Sequence, residues 1–215
     1  MQNIKVLLIL FVLGFSFFSK AQSYRIGSCG NNSSSHLYIT PYIGLGGGAY
    51  SYELNNTVMD ADSVFYNKEK GGVFTPIVGI NFMYKIGKGN LGGGTEFQGL
   101  YGETDNGLTS TKENAYLLKF YGRYEYAIYN DAFNDFGIHL EGGLLFPYGV
   151  IGEYASMGAY GKVGIFYNYI IGSTSSLFIG LDYSYSMFRT QIGNADSNHN
   201  LGNIELTVGY RFWFY

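Results

Sequence analysis

The chain is predicted to be all-β: an eight-stranded antiparallel up-and-down barrel that crosses a membrane with its strands. Three observations point there. Its 215 residues include 32 glycines, 22 tyrosines and 17 phenylalanines, and only 13% are charged. Segments with period-two alternation of hydropathy, the mark of strands with unlike faces, follow one another through most of the chain. Within them the charges keep to one parity and the aliphatic and aromatic residues to the other. A barrel in lipid needs that pattern, with apolar side chains outward and polar ones inward. A soluble barrel with a ligand cavity would show the reverse.

Composition excludes several other classes. Disorder requires low hydrophobicity and high charge. Thirteen basic against 16 acidic residues leave no basic footprint for a nucleic-acid partner. The single cysteine, Cys29, cannot form a disulfide within the chain. After residue 21 no run of 18 apolar residues exists to form a membrane helix.

Residues 1–21 read as a secretory signal peptide. Lys5 supplies the positive start, Val6 to Phe18 the apolar core, and Ser19-Lys20-Ala21 the small residues before a cleavage site between Ala21 and Gln22. Residues 22–35 are polar and read as a flexible periplasmic segment, with Cys29 a lone thiol within it. The barrel is assigned to 36–215.

Eight segments carry the alternation. The first, 36–52, contains Pro41, which cannot donate a ladder hydrogen bond, so a strand starting after it or a bulge is expected. Gly44 and Gly46 to Gly48 leave the facing of this segment open. The second, 72–86, ends with Phe82 and Tyr84. The third, 91–103, places Glu96 and Gln98 on the polar parity. Its Gly92-Gly93-Gly94 block leaves space for bulky neighbours such as Tyr121 or Phe166, or marks bulges. The fourth, 114–129, sets Tyr116, Leu118, Phe120, Tyr124, Tyr126 and Ile128 against Lys119, Arg123 and Glu125. The fifth, 135–150, sets Phe136, Ile138, Leu140, Leu144 and Phe146 against His139 and Glu141. In the sixth, 158–171, Val163, Ile165, Tyr167, Tyr169 and Ile171 oppose Lys162. In the seventh, 176–190, Leu177, Ile179, Leu181, Tyr183, Tyr185 and Met187 oppose Asp182, Ser184 and Ser186. The eighth, 201–215, gives Ile204, Leu206, Val208, Tyr210, Phe212 and Phe214 against Glu205 and Arg211.

Short connections at 87–90, 130–134 and 172–175 alternate with longer ones at 53–71, 104–113, 151–157 and 191–200. Short periplasmic turns and longer external loops follow from that alternation, with both termini periplasmic. Aromatic girdles are expected at both ends: Phe82, Tyr84, Tyr124, Tyr126, Tyr167, Tyr169, Phe212 and Phe214 at one, Tyr101, Tyr148, Tyr183 and Tyr185 at the other.

The last segment carries the pattern Thr207-x-Gly209-x-x-Phe212-x-Phe214. It resembles the assembly signal of Gram-negative outer-membrane barrels. With the leader and eight strands, the chain resembles the small eight-stranded outer-membrane β-barrel proteins, akin to the OmpA transmembrane domain and OmpX. Tyr215 follows the expected last aromatic. The resemblance implies a bacterial outer-membrane location, insertion by the barrel-assembly machinery, and contact with outer-membrane lipids and lipopolysaccharide. The protein partner is left open.

The family resembled includes lipid-A deacylases and acyl transferases, activities that need assembled catalytic groups. A serine esterase needs a serine activated by a histidine and an acid to orient it. His36, His139 and His199 are the histidines available. His199 lies close to Asp196 and Ser197, but the Ser-x-His order is the reverse of the deacylase pattern, and 191–200 reads as a solvated loop. Asp60 and Asp62 are too few for a calcium site, which takes six to eight oxygens. No phosphate loop, zinc spacing or nucleotide fingerprint appears, so no cofactor is expected. The polar parity instead holds a lumen network: Glu96, Glu125, Glu141, Asp182 and Glu205 against Lys119, Arg123, Lys162 and Arg211, with His139. Eight strands enclose a space that side chains can fill. The expectation is a non-enzymatic barrel with an ion-paired plug, serving envelope integrity or surface contact through its loops. The alternatives are a narrow channel or an accessory subunit of a transport or secretion machine, and, less favoured, a lipid-A-modifying enzyme.

Overall fold

The computed structural model describes residues 37–56, 66–87, 89–102, 115–149, 152, 155–172, 174–192 and 195–214. The leader, the 22–35 segment, Cys29, His36, Asp60 and Asp62 lie outside the described residues. Eight strands follow one another: β1 (Leu37–Asn56), β2 (Tyr66–Ile86), β3 (Gly89–Gly102), β4 (Ala115–Asn130), β5 (Asn134–Gly149), β6 (Gly158–Gly172), β7 (Ser175–Ile192) and β8 (Ala195–Phe214). Each pairs antiparallel with the next, and β8 closes on β1. Closure leaves no free sheet edge within the barrel wall, which a structure in hydrocarbon requires.

Register pairs taken once round the wall from Thr40 pass through Asn81, Gly94, Tyr121, Gly143, Tyr160, Ser186 and Leu201 and return to β1 at Tyr50. That ten-residue stagger means tilted strands, as barrel closure demands. It also places Glu96, Arg123, Glu141 and Lys162 at neighbouring heights, although their sequence numbers differ widely.

None of the apolar-parity residues named above in β4 to β8 is buried. Leu181 is 49% exposed and Leu206 53%, on a wall that is apolar all round. A continuous apolar surface of that extent is incompatible with water and suits lipid. Of the aromatics named above, Tyr84 stands opposite Leu37 at one end of the wall and Tyr101 and Tyr148 lie near the other, while Tyr183 is at mid-strand in β7, opposite Ile204 of β8.

Two expectations need correction. Pro41 neither precedes a strand nor sits at a bulge: β1 begins at Leu37, and Pro41 pairs with Ile80 of β2 without a register shift. Its carbonyl faces Gly209 of β8. In a strand the backbone nitrogen points the same way, so the missing N–H falls on the β1–β8 seam. The seam ladder skips Thr40 and Pro41, yet keeps one register from Ile39↔Phe212 to Tyr42↔Gly209.

The second correction concerns 191–200. It is not a loop, because β7 runs to Ile192 and β8 starts at Ala195. Likewise β1 and β2 extend into 53–71, pairing as far as Asn55↔Tyr66. The connection before β6 is held down on β7, where Ser156 donates from its backbone to the Arg189 carbonyl at 2.8 Å. The Gly92–Gly94 block keeps its register with both neighbours, so it is no bulge. A Cβ on Gly94 would lie 2.6 Å from the Tyr121 hydroxyl, and one on Gly137 2.7 Å from the Phe166 ring. These glycines make room for inward aromatics.

Candidate functional site

The inward residues form the only large polar constellation among the described residues. All ten network residues point into the lumen: Glu96, Lys119, Arg123, Glu125, His139, Glu141, Lys162, Asp182, Glu205 and Arg211 are each buried. Strand alternation puts them there, and the barrel stagger brings them together.

Their ion pairs form one connected ladder. At the end where β1 begins and β8 finishes, Arg211 donates through Nη2 to both Glu125 oxygens at 3.1 Å. Its Nε donates to Thr40 at 3.2 Å. Its guanidinium lies 4.0 Å from the Tyr38 ring centre, 5.4 Å from Phe178, and 5.9 Å from both Phe166 and Trp213. This aromatic cage shields the charge and adds cation–π attraction. Tyr38 donates to Glu125 at 2.5 Å. Arg123 bridges Glu125, at 2.8 Å, and Glu141.

Higher up, Lys162 lies 2.7 Å from Glu96, 2.7 Å from Glu205 and 3.7 Å from Glu141. Lys119 lies 2.7 Å from Glu96 and 3.9 Å from Glu205. Neutral donors fill remaining acceptor positions. Tyr42 donates to Glu96 at 2.9 Å, Ser184 to Glu205 at 2.6 Å and Asn203 to Glu205 at 3.1 Å. Tyr121 donates to Asn81 and meets Tyr42 at 2.9 Å. A buried carboxylate is tolerable only with this density of partners.

His139 sits apart from the ladder. Its Nε2 lies 2.8 Å from Asp182 Oδ1. The geometry is not that of an aligned hydrogen bond.

Toward the far end the lumen turns apolar. Leu100, Leu117, Leu145, Leu201 and Phe188 pack with Tyr121 and Tyr160 into one buried cluster, flanked by Val73, Ala115 and Ala155. This collar was missed in the sequence. Leu117, Leu145 and Leu201 lie on the charged parity of their strands, so following that parity past the last charge would have found it. Beyond the collar His199 is buried in β8, stacked on Phe188 at 4.7 Å. It bonds Tyr50 through Nδ1 and Thr190 through Nε2, the latter at 2.7 Å. Ser197 is buried and Asp196 exposed on the opposite parity, so these three do not assemble as a triad. Among the described residues no group of three or more His, Cys, Asp or Glu is arranged to hold a metal.

The assembly-signal residues fall on the β1–β8 seam. Thr207 is buried and donates to the Gly180 carbonyl at 3.4 Å. A Cβ on Gly209 would lie 2.6 Å from the Pro41 carbonyl and 2.8 Å from Tyr42 Cβ. Phe212 and Phe214 stand opposite Ile39 and Leu37.

Neisserial surface protein A superposes on this barrel with a TM-score of 0.50 at 15% identity, covering 80% of this chain and 97% of that chain. The chain has the fold of the small outer-membrane barrels. For OprG from Pseudomonas aeruginosa the TM-score is 0.51 at 8% identity, with 84% and 97% of the two chains covered. For AlkL, solved in lipid bilayers, it is 0.50 at 11%, covering 90% and 96%. No family model matches the sequence, and no curated relative matches it. At these identities the shared property is the fold of the outer-membrane barrels.

Proposed function

We propose that this protein is a non-enzymatic integral barrel of the bacterial outer membrane, with a closed lumen and a role in envelope integrity or surface contact through its loops. One observation carries the closed lumen: an ion-paired ladder and an apolar collar occupy successive levels of the same interior. A water-filled channel needs polar lining along its whole length, and the collar of Leu100, Leu117, Leu145 and Leu201 interrupts it. β1 begins and β8 finishes at one end of the barrel, the end at which β2 passes to β3 and β6 to β7. On this reading that end is periplasmic, and the connections at 57–65, 103–114 and 150–157 face outward. Outer-membrane lipids and lipopolysaccharide contact the apolar wall, and the β8 signal of Thr207, Gly209, Phe212 and Phe214 engages the assembly machinery.

The test is genetic. A deletion strain should lose resistance to detergents or adhesion to surfaces. Wild-type protein should restore it, and a barrel with the 103–114 connection trimmed to a short turn should restore integrity without adhesion. An altered lipid-A mass profile in the deletion strain would instead make the protein an enzyme.

A further inference from the structure

Just below the collar, side chains from three strands converge on one carboxylate in the lumen. Glu205 Oε1 of β8 accepts from Ser184 of β7 at 2.6 Å, from Asn203 of β8 at 3.1 Å and from Gln98 of β3 at 3.4 Å. Gln98 reaches it across the lumen, because β3 and β8 are not neighbours in the wall. Asn203 also donates to Thr75 of β2 at 2.7 Å. That bond passes over β1 at Gly46, where a Cβ would overlap both groups.

These bonds use the amide nitrogens of Gln98 and Asn203. Their carbonyl oxygens, Gln98 Oε1 and Asn203 Oδ1, have no hydrogen-bond partner in the protein, and neither has the Ser186 hydroxyl. Gln98 and Ser186 are 0% exposed and Asn203 1%. Ser186 is one inward step along β7 from Ser184, which stands opposite Asn203. Both amides donate to one oxygen, so their carbonyl ends are held in the same neighbourhood. Leucines of the collar flank the space: Leu117 stands opposite Gln98 and Leu201 opposite Ser186. A leucine side chain has no polar hydrogen to offer a carbonyl, whereas nearly all buried amides and hydroxyls in folded proteins find a partner.

We propose that Gln98, Ser186 and Asn203 bind an ordered water molecule at the underside of the collar. The set of groups selects water. A carbonyl oxygen only accepts, and a hydroxyl is able to donate. Two acceptors and one donor match the two hydrogens and one lone pair of a single water, at the roughly three hydrogen bonds typical of buried waters. A metal cation would satisfy the carbonyls but stand in the field of Lys119 and Lys162, which lie 3.9 Å and 2.7 Å from Glu205. An anion would face two carbonyl oxygens. The water completes the hydrogen bonding of the ladder where the leucines begin, so these groups are not left bare against an apolar ceiling. The site rests on the closed-lumen reading, because in an open channel the same groups would meet mobile water.

The test is water-edited solid-state NMR of the full-length barrel in lipid bilayers, in which magnetisation passes from water protons to nearby carbons. Loss of one side-chain carbonyl signal in Gln98→Met assigns Gln98, and Asn203→Leu assigns Asn203 in the same way. At short mixing times both carbonyl carbons of the wild type should receive magnetisation, and the methyls of Leu117, Leu145 and Leu201 should not. Ser186→Val fills the space with methyl groups and should reduce transfer to both carbonyls several-fold. Gln98→Met keeps the side-chain length and removes one acceptor, and should reduce transfer to Asn203. Dark carbonyls beside dark leucines in the wild type would overturn the water site and leave the closed lumen standing. Transfer to Asn203 unchanged in both variants would also overturn the site. Bright leucine methyls would mean water along the whole lumen, which removes the closed-lumen reading and the site with it.

Discussion

At the scale of single residues, burial and parity decide what a substitution costs. Arg211 is buried within the Tyr38, Phe166, Phe178 and Trp213 cage and pairs with Glu125. Arg211→Ala leaves Glu125 with Arg123 as its remaining cation and should destabilise the barrel by about 3–5 kcal/mol. Trp213 is the only tryptophan, so its fluorescence reports both unfolding in urea and the loss of the cage. An unchanged unfolding midpoint would mean that the cage is empty of consequence. On the other face, Leu181→Arg sets a charge against hydrocarbon at mid-strand and should cost about 2–4 kcal/mol near the midplane. No loss on refolding into vesicles would move Leu181 out of the lipid-facing wall. The sequence alone would make a lumen charge at Ser184 the milder change. Ser184 is in fact buried and bonded to Glu205, so Ser184→Lys overpacks the lumen and gives no clean comparison.

Strands and turns were legible to different degrees. The facing of β4 to β8 could be read because one side meets lipid and the other a charged lumen, so parity is visible in single residues. The extent of β7 and β8 could not. Beyond Met187 the outward positions are Arg189, Gln191, Asp196, Asn198 and Asn200, and polar residues on both parities look like a loop. What makes them strand is the cross-strand ladder, as in Arg189↔Asn198 and Gln191↔Asp196, which no local window contains. The turn between β4 and β5 shows a local signal instead. Asp131 accepts from the backbone of Phe133 and Asn134, each at 2.7 Å, and from the Tyr129 hydroxyl at 2.9 Å. Those bonds, the Phe133 amide first, hold its carboxyl below the usual range. A carboxylate depressed in the folded state contributes stability above its unfolded pKa, and that contribution fades as pH falls through the lower folded value. The turn should therefore be fully ordered at neutral pH and loosen only in strong acid. Amide exchange at Phe133 and Asn134 measures this, and in Asp131→Asn it should be faster at neutral pH and lose its acid dependence. Identical exchange in the two proteins would show that the carboxylate does not order the turn.

For the whole molecule, strand number, inside and outside all follow from one alternating pattern, and so do the members of the lumen network. Their pairings do not. Lys162 meets Glu96 across 66 positions of sequence and Arg211 meets Glu125 across 86, distances that only the barrel stagger brings together. The collar was hidden for a different reason: a leucine on the lumen parity is indistinguishable in composition from one on the lipid parity. Closure itself rests on the seam, where Gly209 lets β8 approach Pro41 and Tyr42. Gly209→Val should lower the yield of heat-resistant, compact barrel on gel electrophoresis, and an undiminished yield would mean that the seam has slack. Closure of the interior is read directly as ion current. Purified wild-type protein reconstituted in a planar bilayer should carry no steady current in molar salt, while replacing the collar in Leu117→Ser/Leu145→Ser/Leu201→Ser should introduce one. Steady, salt-dependent wild-type currents that the collar substitutions leave unchanged would contradict it.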